Sequence, residues 1–313
     1  MRLPSFLTII FINLLISLVN LVSAKVFDLS NFRIALVQMD SSSKEVAWNL
    51  SQIETWVKQA ASNHAEIVVF PELSITGYEV EQPAELAETI QDNNAKFIAN
   101  LSKTYSIVIL AGMIERDKNS KLYITQIVTQ ETGTIDKYRK THLGPTKEAL
   151  VFEDGKQLPV FKMQDSLGNE ITFAIALCYD THFPEIFSIY SLKGAQIVFT
   201  PHASHVLGQA RIALWDKYLG ARAYDNTYYI AAVNHVYQKE GKSYGGGSAV
   251  WSYTSDLEAY YAGNDENIFY HDLDINTLNT KRNNSSVFYT QSRKNELYIE
   301  QLIEQLKIMD ENE

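Results

Sequence analysis

Ile171-Thr172-Phe173-Ala174-Ile175-Ala176-Leu177-Cys178-Tyr179-Asp180-Thr181-His182-Phe183-Pro184-Glu185 reads as an apolar strand ending at a cysteine, then a polar turn, then a proline suited to the first turn of a helix. Strands that hand over to helices are the building unit of layered α/β folds. The handover places the thiol at the strand's C-terminal end, where open α/β sheets bind ligands. A helix N-terminus beside it favours a thiolate and leaves backbone N–H groups for an oxyanion. Cys178 is the only cysteine in 313 residues. Free cysteines are often no more than small buried hydrophobes, but such a residue would more naturally sit inside the strand. Its position therefore favours a nucleophile.

The same alternation runs outward in both directions. Strands are expected at 32–37, 66–70, 106–113, 122–129, 171–177, 196–200, 228–235 and 248–253. Helices are expected from Ser43, a candidate N-cap, to Asn63, and over 84–105, 184–193, 210–224 and 296–309. In the first helix Ala47, Leu50, Ile53, Val57 and Ala60 recur at helical spacing. Gln238 to Gly247 reads as a polar loop, and no linker divides the chain. The result is a single α/β domain whose apolar strands are buried on both faces.

The N-terminus is a separate unit. Met1-Arg2 is a short basic start, Phe6 to Val22 is almost wholly apolar, and Val22-Ser23-Ala24 is a small-residue cleavage pattern. Residues 1–24 are read as a secretory signal peptide, leaving 25–313 as an exported domain, periplasmic or secreted, off the membrane after cleavage. An uncleaved anchor is the alternative, since the run is slightly long for a signal core. Cleavage would remove one cation, Arg2, and no acid, taking the formal charge from −10 to −11. An acidic body lacks the cationic footprint of a nucleic-acid binder. One cysteine also rules out an internal disulfide.

A cysteine nucleophile needs a base. Glu72, in Val68-Val69-Phe70-Pro71-Glu72-Leu73, follows another buried strand, and Lys140 lies in Lys137-Tyr138-Arg139-Lys140-Thr141-His142. Read singly, the one is a surface glutamate and the other part of a solvated basic face. Together with Thr76-Gly77-Tyr78, Cys178-Tyr179-Asp180 and Phe183-Pro184-Glu185, in this order, the segments resemble the nitrilase superfamily of carbon–nitrogen hydrolases. The resemblance implies a four-layer α-β-β-α sandwich that pairs into homodimers or higher oligomers through a helix face. It implies Glu72 as general base, Cys178 as the nucleophile that forms a thioester, and Lys140 with the Tyr179 backbone N–H at the oxyanion. Glu148 fits the place of a second family glutamate. No metal or other cofactor is implied.

The same residues admit other arrangements. A Cys–His pair could use His182, His202 or His235, and His202, His205 and Asp180 could be read as metal ligands. Neither has a local signature. His202 is read either as a residue at the pocket mouth or as an ordinary loop histidine. His182 and Tyr78 are further candidates for contact with substrate. Cys-Tyr-Asp in place of Cys-Trp-Glu points, by resemblance, from nitriles toward amides and carbamoyl amines. Family members that act on small carboxylates often carry an arginine in this segment, where this chain has Thr181 and His182. Nitrile hydrolysis and N-acyl transfer by the same triad are the alternative activities. Four Asn-X-Ser sites, at Asn49, Asn100, Asn283 and Asn284, matter only in a eukaryotic secretory route.

Overall fold

A computed structural model describes residues 31–41, 45–239 and 242–310. The expected leader and the Ser43 cap lie outside the described residues. The chain begins with β1 (Phe32–Gln38), α1 (Val46–Ser62), β2 (Ile67–Val69), α2 (Asn93–Tyr105), β3 (Val108–Arg116), β4 (Leu122–Thr129) and β5 (Ile135–Arg139). A short α3 (Glu148–Val151) leads to β6 (Phe161–Gln164), β7 (Glu170–Ile175), α4 (Pro184–Leu192), β8 (Ile197–His202), α5 (Gly208–Asn226) and β9 (Tyr229–Asn234). The hairpin β10 (Val236–Lys239) and β11 (Lys242–Gly245) precedes β12 (Ser248–Trp251), β13 (Leu257–Tyr261), β14 (Asn267–Leu273), α6 (Ile275–Arg282) and α7 (Asn295–Asp310).

Two six-stranded sheets follow, ordered β14-β1-β2-β3-β4-β5 and β13-β12-β9-β8-β7-β6. Each has a parallel centre, β1-β2-β3 in one and β7-β8-β9 in the other, extended by antiparallel strands. Side chains alternate across a strand, so a strand apolar at every position must be covered on both faces. In β1, Ile34 and Leu36 pack into a core between the sheets with Phe173, Ile175 and Phe199. Ala35 and Val37 face the opposite way, into a core with Ile53 and Val57 of α1 and Ile98 of α2. On the second sheet Ala174 and Val198 meet Phe187 of α4 and Trp215 and Leu219 of α5. The layers are therefore helix, sheet, sheet, helix in one domain, the architecture expected from the sequence.

The differences are local. The helix expected over 84–105 begins only at Asn93; Pro83–Glu85 is a single 3-10 turn. The intervening backbone is held by β3 instead, with Arg116 N–H donating to Glu88 O at 2.8 Å. The segment read as a polar loop contains the β10–β11 hairpin. β5, β6, β13 and β14 were not anticipated; they are sheet margins whose polar positions blur the apolar pattern, as in β13 with alternating half-buried and exposed residues. Asn49, one of the Asn-X-Ser sites, is wholly buried and donates to Ile75 O at 3.0 Å, so it is closed to modification in the folded state.

Candidate active site

The topology brings the ends of β2, β5, β7 and β8 to one edge of the sandwich. Cys178 leaves β7 in a left-handed conformation, φ 40°, and opens a 3-10 turn through His182. A non-glycine residue in that region carries strain and needs its neighbours to hold it. Asp180 does so. Its Oδ2 accepts from Leu177 N–H at 2.9 Å, while its own N–H donates to Leu177 O at 2.8 Å. The wholly buried carboxylate also accepts from Tyr138 OH at 2.7 Å, Thr141 Oγ1 at 3.0 Å and His142 N–H at 2.8 Å. These three donors flank Lys140, so Asp180 ties the cysteine turn to the lysine segment.

Glu72 is placed by another turn. Leu73 has φ 57°, and Ile75 N–H donates to Gly112 O at 2.8 Å on β3. Gly112 is required there, because a Cβ would lie 2.1 Å from Leu73 N. His235 Nε2, from the end of β9, donates to the Glu72 carbonyl in a short hydrogen bond.

Lys140 joins the parts. Its Nζ, almost wholly buried, donates to Glu72 Oε1 at 2.8 Å and to Glu148 Oε2 and Oε1 at 2.8 and 3.0 Å. Glu148 is fixed in turn by Gly144 N–H at 2.7 Å and by the Tyr78 hydroxyl. Glu72 Oε2, by contrast, is buried with no hydrogen-bond partner among the described residues. One oxygen of this carboxylate anchors the lysine, and the other is left to accept a proton.

Burial and charge divide the work between the two glutamates. Loss of water pushes the Glu72 carboxyl up to about 7, against the pull of Lys140. Burial also disfavours the Glu148 anion, but Lys140 and Gly144 N–H outweigh it and hold that carboxyl below its ordinary value. Burial would lower Lys140 too; Glu72, Cys178 and Glu148 more than reverse this, so the ammonium is kept. The Cys178 thiol is pushed up to about 12, chiefly by burial and then by Glu72, with Lys140 and the Ala203 N–H opposing. Burial thus favours the thiol over the thiolate expected from the nearby helix N-terminus.

Of the residues singled out in the sequence, Glu72, Lys140, Glu148 and Tyr78 come together with Cys178. Tyr179 follows the sulfur directly, its backbone at the nucleophile and its ring against His182 and Phe183. His202 is corrected: it is no pocket-mouth residue but is buried, Nδ1 donating to Thr200 O at 2.6 Å and Nε2 accepting from Trp215 Nε1 at 3.1 Å. His182 is exposed and packs on Tyr218, outside the pocket lining. A cavity of about 450 Å³ borders the site through Glu148, which holds Lys140, and Ala203, whose N–H faces Cys178, and is lined also by Tyr78, His205 and Tyr244, among others. Tyr244 was hidden because its segment read as a loop. His205 stacks on Tyr244 and does not join Asp180 and His202 as a metal ligand, since those two are engaged by Tyr138, Thr141 and Trp215.

The carbon–nitrogen hydrolase family model matches residues 33–283, which contain every one of these residues. The chain belongs to the carbon–nitrogen hydrolase family. This hydrolase is 30% identical over 285 residues to the omega-amidase NIT2 of Danio rerio, covering 86% of this chain and 97% of that one. It is 29% identical over 270 residues to a nitrilase of Pyrococcus abyssi, covering 85% and 98%. The crystal structure of an amidase from Nesterenkonia sp. superposes with a TM-score of 0.75 at 25% identity, over 89% of the hydrolase and 99% of the amidase. The hydrolase is thus a nitrilase-superfamily enzyme of the amidase type.

Proposed function

We propose that the chain hydrolyses a small amide through a thioester on Cys178, with Glu72 as the base and Lys140 at the oxyanion. The observation that carries this reading is the Glu72 carboxylate, one oxygen on Lys140 and the other buried and unpartnered beside a lone thiol. The thiol proton passes to Glu72 as sulfur bonds to the carbonyl carbon. Because the Cys178 thiol is a much weaker acid than the Glu72 carboxyl, the transfer accompanies bond formation and does not precede it. Lys140 and the Tyr179 N–H stabilise the tetrahedral oxyanion. Glu72 returns its proton to the departing nitrogen, the C–N bond breaks and ammonia leaves a thioester. Glu72 then takes a proton from water, which attacks the thioester; the sulfur leaves reprotonated and the acid is released. Glu148 holds Lys140 in place.

The test is ammonia release from a panel of amides, with mass spectrometry of the adduct on Cys178. Cys178→Ala should lose turnover and adduct while keeping the fold by circular dichroism; wild-type turnover would refute the assignment. Hydroxamate formation with added hydroxylamine distinguishes transfer of the acyl group from hydrolysis.

Two further proposals concern the setting. Export by cleavage after Ala24 is supported by the basic start, apolar run and small-residue site, and N-terminal sequencing of the mature protein checks it. Pairing with a second copy is supported by apolar side chains left in water on α4, α5 and α7, among them Leu192, Leu214 and Leu302.

A further inference from the structure

From the cavity lining we infer that the substrate is an amide whose far end carries an amine cation, a deepening that rests on the amidase reading above. The charged groups that line the cavity are three carboxylates, Glu79, Glu81 and Glu148, against a single ammonium, Lys147. Lys147 pairs with Glu81 at 3.6 Å at the exposed rim, so the two offset each other and Glu79 and Glu148 give the lining its excess negative charge. Glu79 is mostly buried, and its Oε1 accepts from the N–H groups of Glu81 and Gln82 at 2.7 and 3.0 Å, which fixes the carboxylate at the wall. Lys140, behind the lining, is held by Glu72 and Glu148 and is needed at the reacting carbonyl.

The remaining wall is aromatic. Tyr244 stacks on His205, with ring centroids 4.7 Å apart and planes 17° apart, and meets Tyr78 edge-on at 6.2 Å. Ring faces attract a cation, and a cleft with excess carboxylates in low-dielectric walls concentrates cations. A substrate carboxylate would meet the reverse. The buried guanidinium of Arg211 has no carboxylate partner among the described residues, but it lies 5.4 Å from the Trp215 ring centroid and does not line this cavity. The acyl tail that fits therefore ends in an ammonium, with the amide at Cys178 and the charge among Tyr244, Glu79 and Glu81.

Three amides of matched length test this on the purified full-length protein: 5-aminopentanamide, pentanamide and the monoamide of glutaric acid. The expected order of kcat/KM is cation, then neutral, then anion, with the cation at least about tenfold above the anion and the gap shrinking in high salt. Glu81→Lys should cut the cation-to-neutral ratio by about fivefold. Preference for the glutaric monoamide, or a ratio unmoved by Glu81→Lys, overturns the inference while leaving the amidase reading intact. Ammonia from none of the three removes both.

Discussion

Cys178 combines a strained backbone with an unfavourable proton, and both are held by neighbours. Left-handed non-glycine residues cost about 1–3 kcal/mol, and here the hydrogen bonds of Asp180 to Leu177, Tyr138, Thr141 and His142 offset that strain. Asp180→Asn keeps the shape but replaces an acceptor oxygen with a donor. Its expected effect is a fall in kcat of about 10–100-fold with little change in KM, because Lys140 and Cys178 lose their common anchor; equal loss in KM would assign Asp180 to binding. The glutamate base predicts the pH profile. Only ionised Glu72 accepts the thiol proton, and its carboxyl titrates near 7, so kcat/KM should rise with pH through about 7 and fall below it. Glu72→Gln should abolish that limb together with most of the rate, read from pH–rate curves.

At the scale of elements, the proposed catalytic groups are carried by turns just beyond strand ends, and their placement depends on what the adjoining strand lacks. Gly112 on β3 leaves room for the Glu72–Leu73 turn to close on the sheet. Gly112→Ala should destabilise the fold by about 1–3 kcal/mol and lower kcat through a displaced Glu72, measured by urea melts and steady-state rates; an unchanged kcat would show that the turn adapts. The central strands were legible because Ile34, Val69, Phe173 and Phe199 belong to runs that are apolar on both faces. The helix over 84–92 was misread because its composition suits a helix, while hydrogen bonds to β3, distant in sequence, take the backbone instead. The β10–β11 hairpin was missed for the complementary reason: its strands are too short and polar to show a period, and they pair with each other at a position set by the β9 end.

For the whole molecule, two sheets face each other and a helix layer covers each outer face, while α7 projects an apolar stripe, Ile299, Leu302, Ile303 and Leu306, into water. If this stripe is part of the surface that pairs with a second copy, Leu302→Glu with Leu306→Glu should shift the sedimentation mass toward that of one chain, with amide hydrolysis measured alongside; an unchanged mass would exclude α7 from the contact. The sequence alone carries the layered α/β class, through local alternation, and marks Cys178, through its place at a strand end, while Glu72 and Lys140 stand out only through the ordered motifs shared with the nitrilase superfamily. The burial of His202 was decided only by the tertiary structure, which sets Trp215 of α5 against it. So was the cavity wall, since Tyr78, His205 and Tyr244 meet only when three separate segments converge. The protonation of the site belongs to the same class: the Glu72 and Cys178 values come from the water removed and the charges gathered around them, which no stretch of chain specifies alone.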